Sequence, residues 1–226
     1  MRMEDACELA DYLGDLVEIV KVGWPLFMVS GNQVVRRLKE RGKSVFLDLK
    51  IGDIAETIKR LVNVIKDEEI SRDIDFTTVD TSIQAVEAAV KAKGTAAFKV
   101  LTITLLTSLD KSDLELLGYT NSVEDYVLRK TRAAKAVGCE GIVASGREAA
   151  MIRKEVGDDF LIVTPGIRPT GIDSNDHKRA TTPTDAIRSG ADYLVIGRPI
   201  TRAKEPKDAV KAILDEMQNA FDKYRR

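Results

Sequence analysis

Residues 48–53 read Asp-Leu-Lys-Ile-Gly-Asp, and they place three charges where a strand should be apolar and buried. They follow Val45-Phe46-Leu47, a run with the look of a buried strand. Side chains alternate faces along a strand, so Asp48 and Lys50 point the same way and Leu49 points opposite. Asp53 falls just past the strand, before a helical stretch. Two carboxylates bracketing an ammonium are costly to desolvate unless they pair or serve chemistry. Paired with them is Lys21, which ends an apolar strand within the run 18–23. Such a set, gathered at the C-terminal ends of neighbouring strands, favours a catalytic reading. The bland alternative is a structural ion pair, with Lys21 snorkelling to solvent.

Two further segments carry anion chemistry. Residues 164–169, Thr-Pro-Gly-Ile-Arg-Pro, open a long polar loop through Asp176-His177-Lys178-Arg179 to Pro183. A loop of that length within a compact domain is usually a binding loop or lid. Arg168 presents a planar fork for an anion, and Gly166 and Gly171 allow close backbone approach. Residues 196–201 read Ile-Gly-Arg-Pro-Ile-Thr, where Gly197 exposes backbone N–H to an anion and Arg198 adds charge. A phosphorylated small molecule fits this pair of arginines, although basic loops are often simply solvated.

The elements that must position these residues alternate. Strands are predicted over 17–21, 45–49, 75–80, 98–104, 141–144, 161–164 and 193–197. Helices are predicted over 3–13, near 31–42, and over 56–66, 83–93, 122–137, 148–155, 183–189 and 206–226, with room for a short helix before residue 122. Alternation of this kind argues for parallel βαβ units, and each candidate site falls at a strand's C-terminal end, where barrel enzymes build their active sites. The expected fold is α/β, a TIM-type (β/α)8 barrel, as one domain over 1–226. Seven strands stand where eight are needed, and the chain opens on a helix, so the first strand is expected to be missing from this sequence. A seven-stranded open barrel is the alternative.

Bulk properties narrow the partners. A net charge of −1 makes no case for nucleic acid or a membrane surface. Cys7 and Cys139 lie far apart without ligand partners nearby, which suggests a reducing compartment. With no signal peptide and no spanning apolar run, a cytoplasmic location is expected. His177 is the one histidine, leaving little material for histidine triads or multi-histidine metal sites. No glycine-rich nucleotide fingerprint or P-loop appears.

Taken in order, Lys21-Val22-Gly23, the run 48–54, Leu106-Thr107-Ser108-Leu109-Asp110, 164–169, 176–179 and 196–201 resemble orotidine 5′-monophosphate decarboxylase, most of all its bacterial branch. The Asp-x-Lys-x-x-Asp segment is shared with sister phosphosugar enzymes, and the later motifs point to the nucleotide decarboxylase. The resemblance implies decarboxylation of orotidine 5′-monophosphate to uridine 5′-monophosphate in pyrimidine synthesis, without metal or cofactor. It implies a charged network of Lys21, Asp48, Lys50 and Asp53, with Lys50 stabilising and protonating the C6 carbanion. It also implies a homodimer in which Asp53 and Thr57 are shared across the interface. Thr107 would face the pyrimidine, and Arg168, His177, Gly197 and Arg198 would hold the phosphate.

Three departures stand out. The family's aspartate at the end of its first strand has no strand here to carry it. A histidine and a Gly-Gly pair are replaced by Asp80-Thr81-Ser82-Ile83. His177 stands where glutamine is common, which would make phosphate affinity pH-sensitive. Two other readings remain open: a Mg²⁺-dependent phosphosugar decarboxylase or aldolase of the same superfamily, and a catalytically impaired phosphate-binding barrel.

Overall fold

The computed structural model describes residues 2–67, 70–80, 82–169 and 179–224. The chain forms two compact units, residues 1–102 with 137–139 and residues 103–136 with 140–226.

The first unit runs α1 (Met3–Leu13), a 3-10 turn (Gly14–Leu16), β1 (Ile19–Gly23), α2 (Trp24–Ser30), α3 (Asn32–Lys39), β2 (Ser44–Ile51), α4 (Ala55–Asp67), α5 (Ile70–Asp73), β3 (Phe76–Val79), α6 (Ile83–Lys93) and β4 (Lys99–Ile103), whose last residue begins the second unit. All its strands pair in parallel. Val45 through Leu49 are all buried, which is why β2 reads as a continuous apolar run before its charges rather than as an alternation. β1 lies in register on β2, from Ile19 opposite Ser44 to Gly23 opposite Asp48. The β2–β3 ladder breaks its register between Leu47 and Ile51. α4 supports this sheet with Ile58 and Val62, both fully buried, each stabilising by about 1.5–3 kcal/mol relative to exposure.

The second unit contains α7 (Lys111–Leu116), α8 (Val123–Ala136), β5 (Gly141–Val143), α9 (Ala149–Val156), β6 (Leu161–Thr164), α10 (Pro183–Arg188), β7 (Tyr193–Leu194), α11 (Arg198–Thr201) and α12 (Pro206–Tyr224). β6 pairs in parallel with β5 and with β7. Just past β4, Thr104 N–H donates to Val143 O at 3.1 Å. Arg153 of α9 pairs with Asp192, whose carboxylate also accepts the Ile162 N–H, so one side chain ties helix to strand.

Seven parallel strands alternating with helices are the expected α/β, TIM-type architecture, with α1 ahead of the first strand. Several elements differ from expectation. The helix predicted near 31–42 is α3 alone, and α2 precedes it. Pro25 in the first turn starts α2, and Gly31 at φ 53° separates it from α3. The strand predicted over 193–197 is β7 with two residues, although Val195 N–H still donates to Thr164 O at 2.8 Å. Among the described residues no helix is long and apolar enough to cross a membrane.

Candidate active site

The first unit gathers Lys21, Asp48 and Lys50. Their strands are in register, and β1 ends with Gly23 opposite Asp48. One oxygen of Asp48, Oδ2, lies 3.0 Å from Lys21 Nζ and 2.8 Å from Lys50 Nζ. The carboxylate is buried at 8% exposure, whereas both lysine side chains remain more than a third exposed. Two ammoniums thus face solvent across one sunken anion. Burial works against ionisation of Asp48, but attraction to Lys21 and the hydrogen bond from Lys50 outweigh it, and its pKa falls below the usual aspartate value.

The backbone contributes as well. Lys50 has φ 44°, the one positive φ outside glycine among the described residues. Side chains rarely adopt that region, and doing so costs on the order of 1–3 kcal/mol. The conformation sits at the register break of β2. Lys50 N–H there donates to Thr78 Oγ1 at 2.8 Å, and the Thr78 hydroxyl donates to Asp48 Oδ1 at 2.9 Å. A Cβ added at Gly23, at the end of β1, would lie 3.6 Å from Lys21 Nζ, an ordinary contact.

Asp53 follows in the exposed turn before α4, and its Oδ1 accepts the Ile54 N–H at 2.7 Å. Thr57 lies in the first turn of α4, half-buried. Asp80 N–H donates to Ile51 O at 3.0 Å, placing the unexpected aspartate directly after β3.

The second unit holds the remaining candidates. Thr107 is buried, and its carbonyl accepts the Arg179 N–H at 3.3 Å. Arg168 is also buried, its Nη1 donating to Ile167 O and its backbone N–H to Thr181 O, both at 2.8 Å, so it is no solvated loop residue. Gly197 is exposed, with no heavy atom within 4 Å of an added Cβ, and Arg198 opens α11 beside it. His177 lies outside the described residues.

Arg179 stands in the 176–179 motif, yet its residue type and position alone gave it no role. Its side chain is buried, pairing with Glu148 at 2.8 Å and donating to the carbonyls of Leu105 at 2.7 Å and Leu106 at 2.9 Å. Its own carbonyl accepts the Ser145 hydroxyl at 2.9 Å. Burial pushes the Glu148 carboxyl above its ordinary value, with the Arg179 charge opposing. An arginine in a polar loop and a glutamate at the start of a predicted helix share no periodic signal that would join them. Among the described residues no three His, Cys, Asp or Glu side chains gather as a cation site.

The chain is similar to proteins of known name over nearly its whole length. The family described as orotidine 5′-phosphate decarboxylase / HUMPS matches residues 1–213. A curated protein of Nitrobacter winogradskyi named orotidine 5′-phosphate decarboxylase is 45% identical over 219 residues, covering 97% of this chain and 90% of the relative. One of the same name from Caulobacter sp. (strain K31) is 43% identical, over 95% of this chain and 92% of its own length. Among solved structures, orotidine 5′-phosphate decarboxylase from Lactobacillus acidophilus superposes with a TM-score of 0.80 at 32% identity, covering 96% of this chain and 94% of that one. The enzyme of that name from Pyrococcus horikoshii OT3 gives 0.75 at 26% identity, over 96% and 94%.

Proposed function

The chain belongs to the orotidine 5′-phosphate decarboxylase / HUMPS family, and on that premise we propose that it is a carboxy-lyase converting orotidine 5′-monophosphate to uridine 5′-monophosphate in pyrimidine biosynthesis. The observation that carries the proposal is the single Asp48 oxygen held between Lys21 and Lys50 at 3.0 and 2.8 Å.

The chemistry starts from the C6–carboxyl bond. When it breaks, CO2 leaves and the electron pair stays on C6, an sp² carbon without an adjacent electron sink. Lys50, held by Asp48, stabilises that charge and then delivers its proton to C6. Solvent restores the proton to the amine. Asp48, fixed and anionic, stands beside the substrate carboxylate and raises the bound ground state, a repulsion relieved as CO2 departs. No metal or organic cofactor enters the scheme. By the family resemblance, Arg168, His177, Gly197 and Arg198 hold the phosphate, and Thr107 faces the pyrimidine. Binding energy from that remote phosphate favours the reacting geometry.

The working molecule is a homodimer in the cytoplasm, built from one barrel domain over 1–226 with Asp53 and Thr57 serving the partner's site. Exposed apolar residues support this reading. Ile54, Leu61 and Val64 are 70%, 38% and 53% exposed, and they lie at i−3, i+4 and i+7 from Thr57. Trp24, Met28 and Val29 of α2 are exposed as well.

The test is loss of orotidine ultraviolet absorbance when purified protein meets orotidine 5′-monophosphate in excess chelator. Turnover that survives chelation and disappears in Lys50→Ala supports the proposal. Turnover that chelation abolishes, or that Lys50→Ala retains, rejects it.

A further inference from the structure

Thr78 sits in the middle of β3 and is fully buried. It nevertheless bonds to both halves of the charged network. Its hydroxyl oxygen accepts the Lys50 backbone N–H at 2.8 Å and its hydroxyl proton goes to Asp48 Oδ1 at 2.9 Å. A hydroxyl can do both at once, because it offers a donor and an acceptor on a single atom.

The setting accounts for the need of a side chain there. In an unbroken parallel ladder the Lys50 N–H would meet a backbone carbonyl of the next strand. The register break between Leu47 and Ile51 and the φ of 44° at Lys50 interrupt that ladder. A buried N–H left without an acceptor is expensive, so the strained turn persists only if something takes its place. Thr78 does so. Asp48 is fixed by the same group: its Oδ2 serves Lys21 and Lys50, and its Oδ1 receives the hydroxyl, so the carboxylate plane is held from both oxygens.

We infer that Thr78 is a positioning residue for the decarboxylation, its hydroxyl setting both the Lys50 backbone and the Asp48 plane so that the two ammoniums flank one oxygen. The inference rests on the decarboxylase reading above. Thr78 is fully buried, and its effect passes through Asp48 and Lys50.

Three variants and the unaltered protein test it, assayed for kcat, KM and pH profile with orotidine 5′-monophosphate and for thermal midpoint. Thr78→Val keeps the shape and removes the hydroxyl, whereas Thr78→Ser keeps the hydroxyl and loses a methyl. Thr78→Val should lower kcat by about 10²-fold, the cost of a misplacement on the ångström scale, with KM little changed. Its acid limb should move to higher pH, because Asp48 loses a hydrogen bond that favours its anion. Thr78→Ser should stay near the unaltered protein in kcat and acid limb.

A packing role would give the reverse order, with Val active and Ser impaired, and that order overturns the inference. Should Thr78→Val fail to fold, Thr78→Ser and Thr78→Ala decide, since both lack the methyl and only Ser keeps the hydroxyl. Equal kcat in those two overturns the inference. An unaltered protein without turnover overturns the decarboxylase reading and the inference with it, whereas an active protein matched by Thr78→Val overturns the inference alone.

Discussion

Arg179 and Glu148 meet at 2.8 Å in the interior of the second unit, their side chains 6% and 5% exposed. The guanidinium also caps the carbonyls of Leu105 and Leu106, and the Arg179 N–H reaches Thr107 O. One arginine therefore ties the chain after β4 to the start of α9, and Thr107 is held within that tie.

Breaking the pair from one side should be costly. Arg179→Met leaves a carboxyl buried without its counter-charge, a loss of about 3–5 kcal/mol at neutral pH. The folded-state pKa of Glu148 is already raised by burial, and losing Arg179 raises it further. A folded state that binds the proton more tightly gains stability at low pH and loses it as pH rises through the raised pKa. Urea unfolding across pH should show the deficit of Arg179→Met shrinking toward acid. A deficit independent of pH would mean that Glu148 does not carry it.

Asp48 has the opposite sign. Its folded-state pKa is depressed, so the network stabilises the fold above the ordinary aspartate range and loses that contribution as pH falls through the depressed value. Asp48→Asn should cut kcat by about 10³-fold, in the range seen when a preorganised electrostatic contact is removed. Its stability deficit against the unaltered protein should be present at neutral pH and vanish in acid. Steady-state kinetics and acid unfolding of the two proteins check both parts.

Sharing of the site between subunits has a direct check. Asp53→Ala and Lys50→Ala should each be inactive, and mixing them with subunit exchange should restore part of the activity. One hybrid site would then carry both intact residues. No recovery, with exchange shown by mass-tagged subunits, would place each site within one chain.

Gly197 separates ligand contact from folding. Its φ is negative and an added Cβ meets no atom within 4 Å, but its ψ of −99° lies outside the helical and extended regions. Gly197→Ala should therefore lower the thermal midpoint only modestly, through the backbone and not through a clash. The cost should fall on phosphate, as a raised KM. Gly146→Ala is the contrast, because its Cβ would collide with the Thr181 side chain, and it should lower the midpoint.

Much of this was legible in the residues. α1, α6 and β6 have the predicted bounds, because each carries a complete signal: amphipathic spacing in the helices and a compact apolar run in the strand. Lys21, Asp48 and Lys50 were legible as a group, since charges at the ends of buried strands are costly unless they pair or serve chemistry. α2 was not, because Trp24 through Val29 lacks a polar face and Met28 and Val29 are exposed at 72% and 75%, against what periodicity expects. Thr78 was hidden for a different reason. A threonine in an apolar strand is ordinary, and its role arises only from a register break that no residue type announces. The Lys50 conformation was equally silent, since positive φ is read from glycine and asparagine, not from lysine.

That conformation sets a limit on how far the fold can be improved. Position 50 holds a side chain in a region of φ suited to glycine, so Lys50→Gly would relieve the backbone while taking from Asp48 one of its two counter-charges. Lys50→Gly should therefore lose turnover while its thermal midpoint moves less than that of Lys50→Ala, which keeps the strained angle and loses the same charge. The trade between endurance and turnover is concentrated in one backbone angle.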